Sequence, residues 1–438
     1  MNKERKGFGF KKFLLLWSGE FISAIGSGLT SFGLGVYVYQ MTGKASAMAL
    51  VTLFAFMPGM LLSAPAGVLA DRYDRRILMV LGDSLSALGL LYILWCMLSG
   101  EAKLWQIMVG VTISSVFSSL LEPAYKATIT DLLTDEEFTR ASGLVQVAGA
   151  AKYLISPVLA GFLLTVTNIK LLLILDIGTF FVTVFSALAV KRGLKSKRTD
   201  NTASFLSEFK EGFRAISQEK GVLILIVFAY IITFFLGFVQ TLCMPMILSF
   251  SSSGVLGVIE TVSAAGMLVT SVIIGIFSIK LSYVKLLSLS IMGAGIFLVL
   301  FGLKENVILI GIAGFLFFSM LPFANTCLDY LIRINLDNEV QGRAWGLIGV
   351  ISQMGYVFAY VLSGNLADYV FTPLLMEDGV LADSIGRITG TGAGRGIGLL
   401  ISVSGFLLCL SAILLKQMKS IQSLEKKEDN YVSQINLE

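Results

Sequence analysis

The sequence contains no histidine, only seven prolines in 438 residues and few charges, with 14% of the residues being Asp, Glu, Lys or Arg. A soluble domain carries about 25% charged residues, so this composition excludes an ordinary water-soluble fold. Without histidine, proton exchange near neutral pH must use carboxylates or a lysine whose pKa is shifted by its surroundings. The cysteines lack the spacing of a disulfide framework or a zinc site, and we predict no metal site; they are Cys96, Cys243, Cys327 and Cys409.

Apolar residues make up 55% of the chain, and the mean hydropathy is +0.83. They form windows of about 20 residues, the length that crosses a hydrocarbon core of about 30 Å. We predict twelve spans, near 13–39, 46–70, 77–98, 104–122, 141–165, 171–190, 221–248, 254–277, 284–303, 306–330, 343–370 and 394–415. The fold class is therefore an all-α membrane protein with twelve transmembrane helices in two six-helix bundles.

The polar stretches divide the chain into four parts: a bundle at 1–190, a linker at 191–220, a second bundle at 221–415 and a tail at 416–438. Within the linker, apolar residues recur at helical spacing among charges, which predicts a short amphipathic helix on the membrane surface. These apolar residues are Phe205, Leu206, Phe209, Phe213 and Ile216. The simplest role for such a helix is to tether the two bundles.

Basic residues are distributed unequally between the two sides that twelve spans define. One side carries 26 Lys and Arg residues and the other carries six, with Lys152 inside a span. By the positive-inside rule, both termini are cytoplasmic and the protein lies in the cell membrane. The net charge of +4 is spread over short patches between apolar runs, so we predict a lipid bilayer rather than nucleic acid as partner.

An internal repeat relates the two halves. Glu136 and Arg140, followed by Ala-x-Gly-Leu, recur as Glu339 and Arg343, which are also followed by Ala-x-Gly-Leu. The two copies are 203 residues apart. Each copy precedes an odd-numbered span, the fifth and the eleventh. Because the order is the same rather than inverted, the halves are expected to be related by an axis along the membrane normal.

A charged motif joins spans 2 and 3, and it consists of Gly67, Asp71, Arg72, Arg75 and Arg76. Here the sequence resembles the major facilitator superfamily, whose signature in this loop has the same charge pattern but a glycine where this chain has Asp74. We expect the motif to act as a conformational latch, with Asp71 accepting hydrogen bonds from the start of span 11 near residues 344–347. The alternative is that the arginines only anchor the topology.

Span 5 carries Gly149, Pro157 and Gly161, and it resembles an altered form of the antiporter signature of the same superfamily. Small residues allow close helix contact and proline removes one helical hydrogen bond, so these residues are a candidate hinge. Simple helix packing is the alternative. Span 4 reads Ile-Ser-Ser-Val-Phe at 113–117, without the arginine that proton-coupled members often place there.

Five charged residues lie well inside predicted spans, where each costs about 2.5–3.5 kcal/mol and needs a partner or a function. They are Glu20, Asp83, Lys152, Asp176 and Glu260, our candidates for proton or substrate coupling. Glu20 and Lys152 either form a static ion pair or serve transport, since a carboxylate in a cavity can exchange a proton or meet a cationic substrate. Asp83 could instead support the latch.

Aromatic and Met residues are dense in spans 7 and 10, where Phe234 and Phe318 are our candidates for a substrate cavity. The alternative is that these side chains face lipid. Within the superfamily, the sequence most resembles the macrolide-efflux and drug-exporter group, through residues 67–76, 122–137 and 379–396.

This resemblance implies alternating access around a central cavity and antibiotic resistance by efflux of small amphipathic compounds in exchange for protons. It implies a monomer without catalytic residues or a cofactor. Transport of a specific metabolite or siderophore on the same fold is one alternative, and a non-transporting membrane sensor is another.

Overall fold

The computed structural model describes residues 2–190, 213–214, 216–217, 219–277, 279, 281–336, 338–418 and 420–421. Twelve helices in these ranges are long and apolar enough to cross a membrane, which confirms the number of spans predicted from hydropathy. Most of the predicted amphipathic helix at 191–220 lies outside the described residues.

We number the twelve spans α1 to α12. The first six are α1 (Asn2–Thr42), α2 (Ala45–Arg72), α3 (Arg75–Leu98), α4 (Leu104–Ser118 and Leu121–Leu132), α5 (Asp135–Leu154 and Ser156–Val166) and α6 (Ile169–Ala189). The next five are α7 (Lys220–Leu248), α8 (Ser253–Ile276), α9 (Tyr283–Leu303), α10 (Val307–Ile334) and α11 (Asn338–Leu366, extended by a π-helical turn at Ala367–Phe371). The last is α12 (Ala393–Gln417), and short helical turns at Thr372–Leu374 and Gly386–Thr389 lie between α11 and α12.

Two spans are divided by a break close to a proline. Helix α5 breaks at Ile155, two residues before Pro157, and α4 breaks just before Pro123. Proline has no backbone N–H, and its ring crowds the carbonyl group four residues earlier, so the preceding turn cannot continue unchanged. The sequence analysis expected Pro157 to remove one helical hydrogen bond, and the structure shows a local break two residues before it. The role of this break as a hinge stays a prediction.

The helices cluster into two compact units. Unit 1 contains α1 to α6 together with Ser252–Thr261, the beginning of α8, whereas unit 2 contains α7, the rest of α8 and α9 to α12. The domain boundary predicted at the linker assigned all of α8 to the second bundle, whereas the contacts group its first turns with unit 1. The first turns of α8 group with unit 1 because glycines on α5 and α8 allow their backbones to approach closely.

The two units repeat the same helix pairs. In unit 1, the first span packs on the fifth and sixth, and the third packs on the fourth and sixth. In unit 2, α7 packs on α11 and α12, and α9 packs on α10 and α12, which are the equivalent pairs. The sequence repeat at Glu136 and Glu339 thus corresponds to a repeat of helix packing.

Glycines at intervals of seven residues form the contacts within two of these pairs. On α1 they face mainly side chains of α6. On α9 they face glycines of α12, and there the two helices meet through backbone atoms. The α1 glycines are Gly19, Gly26 and Gly33, and the paired glycines of unit 2 are Gly295 with Gly405 and Gly302 with Gly398. We call the second set the α9–α12 seam.

Candidate functional site

Four of the five predicted intramembrane charges lie together in unit 1. Glu20 is on α1, Asp83 on α3, Lys152 on α5 and Asp176 on α6, four helices of one bundle. Asp83 interacts electrostatically with Glu20 and Asp176, and Lys152 interacts with the same two carboxylates. We call these four residues the charge cluster. Sequence alone could not place them together, because they lie up to 156 positions apart.

Glu20 and Lys152 are partly buried rather than fully buried. Neither forms a salt bridge within the part of the chain that the structure describes, so the static ion pair considered from the sequence is not made here. The Lys152 ammonium lies 5.9 Å from the centre of the Tyr153 ring. Glu20 also interacts with the charge of Glu122. Both side chains thus keep part of their surface accessible.

Asp176 is only 1% exposed, but hydroxyl groups surround its carboxylate. Ser27 Oγ donates to Asp176 Oδ1 at 3.4 Å, and Thr179 Oγ1 lies 3.5 Å from the same oxygen. Gly26 of α1 leaves room for this arrangement, because a Cβ at that position would lie 2.8 Å from Asp176 Oδ1. Asp176 is therefore a buried carboxylate with polar neighbours on two helices.

Asp83 is also 1% exposed, but its surroundings differ. Neither carboxylate oxygen accepts a hydrogen bond from any described residue. A buried polar group without a partner costs free energy, and a buried unpartnered charge costs several kcal/mol more. The two aspartates of the charge cluster are thus equally buried, but only Asp176 accepts hydrogen bonds from described residues.

Glu260 stands apart from the charge cluster. It lies on the first turns of α8 within unit 1, and it is partly buried. Among the described residues, no ion pair joins it to the cluster. The neighbouring Thr261 Oγ1 donates to the Leu154 carbonyl at 2.9 Å, which fixes this part of α8 against the break in α5.

Arg75 of the predicted latch makes contacts inside unit 1. Its Nε donates to the Ala70 carbonyl at 3.2 Å, and its Nη1 donates to the Ala127 carbonyl at 2.9 Å, so it ties the end of α2 to the end of α4. Asp74 lies in the loop and caps α3, because its carboxylate accepts from the Arg76 backbone N–H at 3.0 Å. An aspartate here therefore supports the turn that the superfamily makes with glycine.

Two of the other latch residues, Arg72 and Gly67, are less constrained. Arg72 is exposed, and a Cβ on Gly67 would meet open space. The side chain of Asp71 lies outside the described ones, so its contact with residues 344–347 stays a prediction.

The three residues of the candidate hinge differ in their surroundings. A Cβ added to Gly161 would collide with α8 at Ser253 and Gly254, and Gly257 packs on the Pro157 carbonyl in the same way. Gly149, in contrast, has open space beside it. Pro157 and Gly161 therefore lie at a close helix contact, which is the packing alternative considered from the sequence, and Gly149 does not.

Phe234 and Phe318 lie on different helices of unit 2, each beside other aromatic rings. The Phe234 ring is 4.9 Å from that of Phe238, and Phe318 is 5.2 Å from Phe317 in an edge-to-face arrangement. Both are partly buried. No ring contact joins them within the described ranges. Their place in a shared substrate cavity stays a prediction.

Arg395 is a buried residue that the sequence analysis did not single out. It lies in the first turn of α12 and is only 1% exposed. Its Nη2 donates to the carbonyl groups of Gly302 at 2.8 Å and Leu303 at 2.7 Å, which cap the end of α9. The alternation of glycines around it, at 394, 396 and 398, is the sequence signal of a tightly packed helix start.

Twelve spans in two units with the same helix pairs, and a group of charges inside one unit, define a multi-pass membrane protein of the transporter class. A sequence profile of the Major Facilitator Superfamily matches residues 16–360. The chain belongs to this superfamily, and it is a transporter rather than an enzyme.

Similar proteins include two macrolide efflux proteins. Macrolide efflux protein A of Streptococcus pyogenes is 24% identical over 371 residues, covering 82% of this chain and 90% of the relative. Macrolide efflux protein A of Enterococcus faecalis is 25% identical over 322 residues, covering 70% and 98%.

Among solved structures, a bacterial homolog of the human lysosomal transporter Spinster matches with a TM-score of 0.73 and 13% identity. The match covers 97% of this chain and 99% of that one, which agrees with the fold described above.

Proposed function

We propose that the protein exports small amphipathic compounds of the macrolide or multidrug type by alternating access, in exchange for protons. It would act as a monomer in the cell membrane with both termini in the cytoplasm. Support for the substrate class comes from the two macrolide efflux relatives, which match this chain over most of their length. Support for the topology comes from the unequal distribution of Lys and Arg.

The observation that carries proton coupling is the contrast between Asp83 and Asp176. Asp83 is buried, and no described residue donates to it, so we infer that it holds a proton in this conformation. Asp176 accepts from Ser27 and is close to the Thr179 hydroxyl, which suits a carboxylate that carries charge. The bundle thus contains two buried carboxylates with different hydrogen bonding. In this proposal Asp83 would give up a proton and Asp176 would receive one.

Glu20 and Lys152 have a different part in this proposal, because both keep accessible surface. Glu20 would meet the ammonium group of a cationic substrate, or exchange a proton with water that enters the transport pathway. Lys152 would compensate whichever carboxylate is ionised. Glu260 is a further coupling candidate, through its place beside the α5–α8 contact.

The conformational part of the proposal uses the motif between α2 and α3. Asp71 and the arginines Arg72, Arg75 and Arg76 would hold one conformation by contact with residues 344–347, and Gly67 would keep that surface clear. Residues Gly149, Pro157 and Gly161 would permit the bending of α5, and Phe234 and Phe318 would line the substrate cavity.

Accumulation assays in a drug-sensitive bacterium test the function. The strain expresses the wild type, and efflux of a macrolide and of a cationic dye is measured with and without a protonophore. We expect efflux that the protonophore abolishes. Efflux that the protonophore leaves unchanged would contradict proton coupling. Transport of neither compound would exclude the proposed substrate class and favour a specific metabolite or siderophore.

Three variants then test the contributions of individual carboxylates to proton-driven efflux. Asp83→Asn imitates the protonated state, so we expect normal expression, substrate exchange down a gradient, and loss of proton-driven efflux. Glu20→Gln should also lower proton-driven efflux while leaving expression intact. Asp378→Asn, which changes an exposed acid between α11 and α12, is the matched control and should behave as wild type. Unchanged efflux in the Asp83 or Glu20 variant removes that residue from the mechanism.

A further inference from the structure

Unit 1 contains a cavity of about 350 Å³ that includes none of the charge cluster. It lies at the end of the bundle where α1 and α3 finish and where α5 turns into α6. Three segments form its wall: α1 near Tyr37 and Gln40, the residues that follow α3 near Glu101, and the start of α6 near Lys170. By the positive-inside prediction, this end of unit 1 faces the outside of the cell.

The floor of this cavity is apolar and tightly packed. Gly33, Val36, Met97 and Ile169 are buried there. A Cβ on Gly33 would collide with the Ile169 side chain, so α1 and α6 are in close contact beneath the cavity. The cavity volume equals that of about a dozen water molecules. That volume is at the lower end of the range of small-molecule sites.

The rim of the cavity carries one charge of each sign. Glu101 is exposed and interacts electrostatically with Tyr37 across the end of α1. Lys170 lines the cavity, is partly buried, and follows Asn168, whose Oδ1 accepts from the Lys170 backbone N–H at 3.1 Å. Within the described residues, Glu101 and Lys170 make no salt bridge with each other or with any other group.

Opposite charges that share a cavity without neutralising each other match a ligand that carries both charges. A single anion would meet Glu101, and a single cation would meet Lys170, so each would be repelled at one end of the cavity. A zwitterion would satisfy both, and the hydroxyl of Tyr37 and the amide of Gln40 would provide additional hydrogen bonds. The apolar floor would accept a short hydrocarbon portion.

We propose that this cavity binds a small zwitterion, with its ammonium group at Glu101 and its anionic group at Lys170. The same chemistry occurs in the phosphoethanolamine head group of a membrane lipid and in a free zwitterionic solute. The site is separate from the proposed transport function, since its lining shares no residue with the charge cluster, and its test measures binding rather than efflux.

The test uses the purified full-length chain in nanodiscs. In one arm, the discs contain only phosphatidylglycerol, and glycerophosphoethanolamine or leucine is titrated while heat of binding is measured. In the other arm, phosphatidylethanolamine is introduced into the discs, and hydrogen exchange of residues 97–101 and 167–170 is followed. Saturable binding in the first arm supports a free solute, and protection in the second arm supports a lipid head group. Absence of both overturns the proposal.

Charge variants make the test specific. Glu101→Gln and Lys170→Gln should each weaken binding at least about tenfold, because each removes one charge-assisted contact. Glu101→Lys and Lys170→Glu should each abolish binding, whereas the double exchange should restore it, because a zwitterion can bind in the reverse direction. Lys103→Gln, at an exposed position outside the cavity lining, is the control. Equal binding by wild type and both Gln variants, or failure of the double exchange to recover binding, would refute the site.

Discussion

Replacing Gly302 by alanine tests whether the α9–α12 seam requires a residue without a side chain. A methyl group on Gly302 would overlap the carbonyl oxygen of Gly398 and would lie 2.5 Å from Ser402 Oγ. The serine can rotate away, but the carbonyl belongs to the backbone of a buried helix, so the two helices must move apart. Overpacking of this kind costs about 1–3 kcal/mol. For a unit of about 200 residues, we expect the Tm to fall by about 2–12 °C.

The matched control is Gly311→Ala on α10, where an added Cβ would meet open space. In a helix, alanine is favoured over glycine by about 0.5–1 kcal/mol, so this variant should keep or raise the Tm. Both variants are purified in the same detergent, heated in steps of fixed duration and measured by size-exclusion chromatography, since unfolding of such proteins is irreversible. A Gly302→Ala protein as stable as the Gly311→Ala protein would refute the close contact.

Two further substitutions test other contacts by the same measurement. Arg395→Met leaves the carbonyl groups of Gly302 and Leu303 without their donor, so the Tm should fall by an amount corresponding to about 1–3 kcal/mol; an unchanged Tm would show that the cap contributes nothing. Asp74→Ala removes the acceptor for the Arg76 N–H and should cost about 0.5–2 kcal/mol, whereas Asp74→Gly should cost only a few tenths; equal losses in the two Asp74 variants would contradict the capping role.

The spans and their number could be predicted because a membrane imposes one simple requirement on the chain. Every helix that crosses lipid must be apolar over about 20 residues, and that requirement is visible in any single window of sequence. The repeat around Glu136 and Glu339 was equally visible, and it corresponds to a real repetition of helix pairs. The loss of one hydrogen bond at Pro157 followed from the chemistry of proline, but a helix break did not, since Pro58, Pro65, Pro245 and Pro322 lie inside unbroken helices.

The differences inside the charge cluster could not be predicted in the same way. Asp83 and Asp176 look alike in sequence, since each is one acid within an apolar helix. Their hydrogen bonding differs, because Ser27, 149 positions away from Asp176, donates to Asp176 across a helix contact. The role of Arg395 was missed for the same reason, as its acceptors lie more than 90 positions earlier, at the end of α9. Contacts of this separation depend on tertiary packing, and no single window of sequence shows which residues make them.

The break in α5 has a consequence for how a helix can bend within lipid. A carbonyl group released from helical hydrogen bonding has no water to turn to in a bilayer, so an unassisted kink carries a large penalty. Here the Leu154 carbonyl accepts from the hydroxyl of Thr261, a donor on a neighbouring helix rather than on α5 itself. A hydroxyl can rotate and follow the carbonyl through a change of angle, so the Leu154 carbonyl can keep its hydrogen bond while the helix bends.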